Sequence, residues 1–155
     1  MEFIKSENLT LEEQLVIEKT FEAAQHSVSK KGHRVGCAIL CENKKIYTGS
    51  VNERTLAIGS TCAERMAVDQ LYFHGREKPK LCGLVGFFVR KGWTRNYICT
   101  PCGVCLEMFF EMVLDFAIKD LDFLCATWDK SKFLRIKLSE LYPQIGKGEW
   151  SRFQT

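Results

Sequence analysis

The chain has 155 residues, enough for one domain over 1–155 that buries roughly 68–70% of the surface of its unfolded form. Its 46% hydrophobic and 26% charged content is ordinary for a soluble globular protein, and no apolar run approaches the ~18 residues of a membrane span. A net charge of +3, with acids and bases interspersed, argues against a dedicated duplex-binding protein, which concentrates its basic residues on one face.

The first residues, Met1 to Glu7, lack the basic-then-apolar layout of a secretory signal. Thr10-Leu11-Glu12-Glu13 has the form of a capping box and precedes apolar residues at helical spacing. Leu11, Leu15, Ile17 or Glu18, Phe21, Ala24 and Val28 mark one face and predict a helix over 11–29, which Lys30-Lys31-Gly32 ends. Apolar runs at 35–41 and 45–51, joined by Glu42-Asn43-Lys44, predict a hairpin. Residues 52–61 read as a loop, and the spacing turns helical again from 62 to 74. The nearly continuous apolar run 81–89 is the pattern of a strand buried on both faces. Residues 90–100 read as a loop, and Pro101 prepares a third helix over 102–116. A buried strand at 121–127, a short one at 133–136 and a helical turn at 138–142 complete the series. This order implies an α/β fold with a mixed sheet of about five strands covered by helices.

Two cysteine groups carry the chemistry. Cys62-Ala63-Glu64 is followed forty residues later by Pro101-Cys102-Gly103-Val104-Cys105. Both groups fall at predicted helix starts, where unpaired N–H groups and the helix dipole stabilise thiolate. Cys102 and Cys105 lie three apart, on one side of a first turn. Three protein ligands with a position left for water mark a catalytic zinc site, whereas structural sites take four. Glu64 sits beside the metal as a proton shuttle without being needed as a ligand. Three thiolates leave the site with net negative charge, which Arg65 is placed to offset by hydrogen bonding to a ligand sulfur. Taken singly, the P-C-x-x-C segment also suits a redox pair or half of a structural zinc site.

Eight cysteines would also suit a disulfide scaffold. Cys37, Cys41, Cys82 and Cys125, however, lie in apolar runs where free cysteine acts as a small buried hydrophobe, and Cys99 could be either. A reducing, cytoplasmic compartment is the expectation.

These motifs resemble the zinc-dependent cytidine deaminase superfamily, with its H/C-x-E…P-C-x-x-C arrangement, and the Cys-x-Glu form resembles its compact homotetrameric branch of cytidine and blasticidin-S deaminases. Val35-Gly36-Cys37-Ala38-Ile39-Leu40 looks like the family's V-G-A-A-L-L strand, and Ile46-Tyr47-Thr48-Gly49 like its second. Thr61-Cys62-Ala63-Glu64-Arg65 is close to T-x-C-A-E-R, and Leu138 to Pro143 resembles its L-x-E-L-L-P turn. The resemblance implies a three-layer α-β-α fold, a homotetramer, and hydrolytic deamination at C4 of a cytosine ring in a nucleoside or nucleoside-like compound. Carried over by position, Cys62, Cys102 and Cys105 hold zinc, and Glu64 moves protons to N3 and the leaving amine. Substrate contacts fall to His33, Asn52, Glu53, Ala63, Trp93 and Trp150.

The substrate-reading positions depart from the family pattern. The ribose-binding N-x-E becomes Val51-Asn52-Glu53, so Glu53 aligns and Asn52 is shifted by one. The P-Y-S segment becomes Ser29-Lys30-Lys31, the aromatic before V-G becomes His33, and Arg-Gln after the second motif becomes Leu106-Glu107. His33 suits base stacking or a structural role. Lys30 and Lys31 suit an anionic part of a substrate or a solvated helix end. Arg90 to Arg95, basic with Trp93 inside it, suits single-stranded nucleic acid or an exposed loop with a partly buried tryptophan. Trp150 and Phe153 suit a lid or packing on their own domain. The third helix, apolar around much of its circumference, points to a core or an oligomer interface. Three rival functions remain at this level: a deaminase of blasticidin S or another modified nucleoside, a deaminase of single-stranded nucleic acid, and a non-catalytic zinc-stabilised binding module.

Overall fold

The computed structural model describes residues 1–142. Thr10 caps helix α1 (Leu11–Gln25): its hydroxyl accepts the Glu13 N–H at 3.2 Å, and the Glu13 carboxylate accepts the Thr10 N–H at 2.8 Å. The helix ends a turn earlier than its apolar spacing suggests. Val28 is drawn out of it, donating its N–H to the Val51 carbonyl at 2.9 Å and bridging to Asn52. Gly32, at φ +80, closes a separate turn onto Ser29.

The buried face of α1 also differs from the expected one. Leu11 and Val28 are exposed, and Leu15 is 40% exposed, while Val16, Ile17, Thr20, Ala23 and Ala24 face the sheet. Contact distance explains the choice of small residues. A side chain at Gly36 would meet the Thr20 carbonyl at 2.1 Å, so helix and sheet backbones nearly touch.

After α1 come strands β2 (Arg34–Cys41) and β3 (Ile46–Ser50), helix α2 (Ala63–His74), strand β4 (Pro79–Phe87) and helix α3 (Gly103–Asp115). Strands β5 (Asp122–Ala126) and β6 (Phe133–Lys137) follow, then the turn α4 (Leu138–Leu141). The three residues Glu2–Ile4 form a further edge strand, β1, paired antiparallel to β6. The mixed sheet therefore has six strands rather than about five, in the order β1-β6-β5-β4-β2-β3.

Only β4 and β5 pair in parallel. A parallel pair needs a crossover, and this one contains the second cysteine motif and α3. Both β3 and β4 run antiparallel to β2, so they point the same way and deliver their following helices to one end of the sheet. Helices α2 and α3 share one core with Cys37, Ile39, Leu84, Phe123 and Ile136, while α1 covers the other face with Ala38, Leu40, Leu124 and Phe133. This is the three-layer α-β-α arrangement.

Helix α3 buries most of its apolar circumference within its own chain. Leu106, Phe109, Phe110, Met112 and Val113 are buried there, and Val104 is left 64% exposed. Among the described residues, no helix is long and apolar enough to cross a membrane.

Candidate metal centre

Two strand-to-helix junctions build the centre. Cys62 is the N-cap of α2 and Cys102 the N-cap of α3, both in extended backbone, and neither side chain is used for capping. Cys62 is half-buried and Cys102 exposed. The junctions are held tightly. Asn52 and Thr61 exchange backbone hydrogen bonds at 2.9 Å just before Cys62, and Ile98 bridges to Thr127 just before Cys102. A side chain at Gly49 would lie 2.2 Å from the Ala63 carbonyl, so only glycine lets α2 begin where it does.

The ligand atoms of Cys62, Glu64 and Cys105 lie within 4.8 Å of one another. Cys102 joins the group through Cys105, at a sulfur–sulfur distance of 3.7 Å. Sulfurs held about 2.3 Å from a tetrahedral zinc stand about 3.8 Å apart, so the spacing fits that ion. Thiolates are also donors that suit borderline-soft zinc.

The protonation states follow from the packing. The Cys62 thiol falls to about 7, chiefly because the Cys105 thiol donates a hydrogen bond to it. Burial and the Glu64 carboxylate oppose that shift, and the Arg65 charge assists it. Cys105, the donor and itself buried, moves well upward. Glu64 is 6% exposed, and desolvation raises its carboxyl above the ordinary range. Arg65 is exposed and acts on Cys62 through its charge, since it makes no hydrogen bond to a sulfur among the described residues. All eight cysteines are unpaired thiols. Cys37, Cys41, Cys82, Cys99 and Cys125 are buried, and burial pushes Cys99 up to about 12.

Two of the sequence-derived substrate positions form a built network. The Ser29 hydroxyl donates to Glu53 and accepts the His33 N–H at 3.1 Å. His33 Nδ1 accepts the Val89 N–H at 3.0 Å, which leaves its ring proton on Nε2, 3.9 Å from the Glu53 carboxylate. Asn52 stands beside this network, and its buried Oδ1 has no hydrogen-bond partner among the described residues. Ala63 is fully buried under Gly49 and offers substrate no side chain. Trp150 and Phe153 lie outside the described residues. His26 and His74 are exposed.

Trp93 is half-buried in an aromatic row. His33 stands 5.4 Å from Phe88, Phe88 4.8 Å from Trp93, and Trp93 5.5 Å from Tyr97. The Arg90 guanidinium covers the Trp93 ring at 4.6 Å, and the Trp93 indole N–H has no partner among the described residues. Sequence reasoning missed Ser29 as a partner of Glu53, because a contact across 24 residues leaves no local pattern. It also missed Phe88, although Phe87-Phe88 at the end of an apolar run was the available signal.

Grooves also lie beyond the thiols. One of about 580 Å³ lies among the first residues of β4 and β5 together with Glu13 and Arg135. Another of about 290 Å³ is lined by Lys30, Lys31, Glu53, Arg54 and Ser60, next to the His33 network.

Residues 11–119 match the model of the cytidine and deoxycytidylate deaminase zinc-binding region. A probable cytidine deaminase of Dictyostelium discoideum is 32% identical over 124 residues, covering 76% of this chain and 75% of that protein. The crystal structure of cytidine deaminase from Burkholderia pseudomallei is similar in fold, with a TM-score of 0.68 at 18% identity, over 86% of this chain and 96% of that one. Cytidine deaminase from Mycobacterium tuberculosis gives a TM-score of 0.62 at 20% identity, over 84% and 93%.

Proposed function

The chain belongs to the cytidine and deoxycytidylate deaminase family and is a zinc-dependent hydrolytic deaminase; on that premise we propose that it deaminates the cytosine ring of a free nucleoside or nucleoside-like compound. The sulfur–sulfur spacing of 3.7 Å beside a buried carboxylate is the observation that carries the assignment of roles. Cys62, Cys102 and Cys105 would hold the ion, leaving Glu64 uncoordinated. Bound zinc supplies the Lewis acidity that brings the pKa of a water towards ~7.

The rest falls to the chain's own groups. Glu64 takes the proton from the attacking water, passes it to ring N3, and carries a second to the departing amine, so that water and cytosine become uracil and ammonia. Its raised carboxyl suits a group that must both accept and release a proton. Arg65 offsets the negative charge of three thiolates through space. Glu53, fixed by Ser29 and His33, accepts from the sugar hydroxyls, and the unpartnered Asn52 Oδ1 is a second acceptor beside it. The oligonucleotide reading has less support, because Arg90 already covers the Trp93 ring that a base would stack on. A homotetramer and a role in nucleoside salvage in the cytoplasm belong to the same proposal. Exposed Leu56, Ile58 and Val104 near the two helix starts suit burial between subunits.

Ammonia release is the test, from cytidine, deoxycytidine, cytosine, deoxycytidine monophosphate, blasticidin S and a short single strand. Nucleoside turnover is expected. It should vanish in Glu64→Ala with zinc and fold retained, and fall more than stability does in Arg65→Ala. Undiminished turnover in Glu64→Ala would reject the mechanism.

A further inference from the structure

We propose that the chain carries a docking surface for single-stranded nucleic acid at one end of the sheet, on the α1 side. It is separate from the deaminase site and independent of the nucleoside reading above. Its centre is Trp128, in the turn between β5 and β6.

Strand periodicity brings the surface together. Ala38 of β2, Leu81 of β4 and Ala126 of β5 pack under α1, and Arg34, Phe87 and Trp128 lie an even number of residues from them along the same segments. The Trp128 ring stands 5.7 Å from Phe21 of α1 and 5.9 Å from Phe87, and it remains partly exposed. Cys62 and Cys105 belong to the core on the other face, under α2 and α3. The mounting is well tied. The Thr127 N–H donates to the Lys132 carbonyl at 3.1 Å, and the Lys132 N–H returns to the Thr127 hydroxyl at 3.1 Å. The Asp129 N–H reaches the Arg95 carbonyl at 3.1 Å and joins the loop before the second cysteine motif to this turn.

Cations surround this ring without covering it. Exposed Lys130 stands 4.5 Å from the Phe21 ring centre and exposed Arg95 5.8 Å from that of Phe87, while Lys132 is exposed on the same turn. Arg34 lies opposite Phe87 in the β2–β4 register, held by a 2.9 Å bond to the Ser27 carbonyl. Among the described residues no cation lies over Trp128, whereas Arg90 covers Trp93. The acids beside the surface are Asp129, whose Oδ1 accepts from the Thr127 and Ser131 hydroxyls, and Glu18, one turn before Phe21 on α1. The opposite end of the sheet has the reverse balance: its groove of about 580 Å³ is lined by five carboxylates, three basic side chains and the amino terminus. A partly exposed indole among phosphate-seeking side chains is the composition that a single strand needs. A duplex keeps its bases stacked on one another and offers Trp128 no ring.

The experiment follows fluorescence anisotropy of a short mixed-sequence single strand, as RNA and as DNA, and of a duplex of the same length, at several salt concentrations. One or both single strands should bind about ten-fold or more tighter than the duplex. Trp128→Leu should weaken that binding by about ten-fold, the loss of one stacked base. Arg95→Ala/Lys130→Ala/Lys132→Ala should reduce the slope of log affinity against log salt by about 2. Both variants should keep their zinc and the parent's nucleoside turnover, and the single strand should not compete with cytidine. Should Trp128→Leu fail to fold, the triple variant decides alone, since its three side chains are exposed. Absent single-strand binding, equal affinity for the duplex, or a salt slope unchanged in the triple variant would overturn the surface. Competition with cytidine would overturn it too, by moving the strand to the zinc pocket.

Discussion

The two faces of the sheet treat polarity in opposite ways. Under α1 the buried polar groups are all paired. Glu13 meets Arg135 through two hydrogen bonds of 2.5 and 2.7 Å, and Thr20 returns a bond of 2.7 Å to the Val16 carbonyl. Under α2 and α3 the core contains Cys37, Cys82, Cys105 and Cys125, and Glu64 is buried with no cation among the groups that shift it. One face spends its polar atoms on holding the fold. The other buries a carboxylate against desolvation with the Cys105 thiol the only side chain to bond it, the mark of a working site.

The largest expected effect tests whether the thiols of the second face are equivalent. Cys105→Ala should lose stoichiometric zinc and all measurable deamination, whereas Cys82→Ala should keep its zinc and lose only about 1–2 kcal/mol of stability by denaturant unfolding. Zinc retained in Cys105→Ala would place the ion elsewhere.

A smaller contrast comes from the two close approaches of helix to sheet. Gly49→Ala and Gly36→Ala should each destabilise by about 1–3 kcal/mol, because in each the new methyl meets helix backbone. Only Gly49→Ala should also weaken zinc affinity, since it displaces the start of α2. Equal zinc affinity in the two variants would uncouple that junction from the metal.

The smallest effect concerns the first face alone. Hydrogen bonding to Arg135 holds the Glu13 carboxyl below its usual range. A depressed carboxyl contributes stability that is fully present above its unfolded value near 4.5, and this is lost as pH falls through the folded value. Glu13→Gln should therefore cost about 1–2 kcal/mol at pH 7, and flatten the fall in Tm below pH ~4.5. A variant with an unchanged acid profile would show that the pair contributes nothing.

The second face was the more legible in the sequence, for a physical reason. Metal ligation restricts residue type and spacing, so Cys62, Glu64, Cys102 and Cys105 announce themselves, and the helix starts they cap come with them. The face of α1 was misread because the apolar spacing of Leu11, Leu15 and Val28 looked helical. The distance to the sheet selected Thr20, Ala23 and Ala24 instead, and alanine or threonine carries little hydropathy signal. Strand β1 was missed because a three-residue edge with one buried side chain has no period to detect. Its place depends on β6, about 130 residues away. Glu53 could be found by alignment, but the Ser29 and His33 contacts that fix it depend on tertiary closure.

The common direction of β3 and β4 has a further consequence for the denatured chain. An ion gripped by Cys62 and Cys105 closes a loop of about forty residues, and by analogy with a disulfide of that span it removes about 4 kcal/mol of chain entropy from the unfolded ensemble. With every thiol otherwise unpaired, zinc becomes a cross-link of the kind a disulfide would otherwise supply.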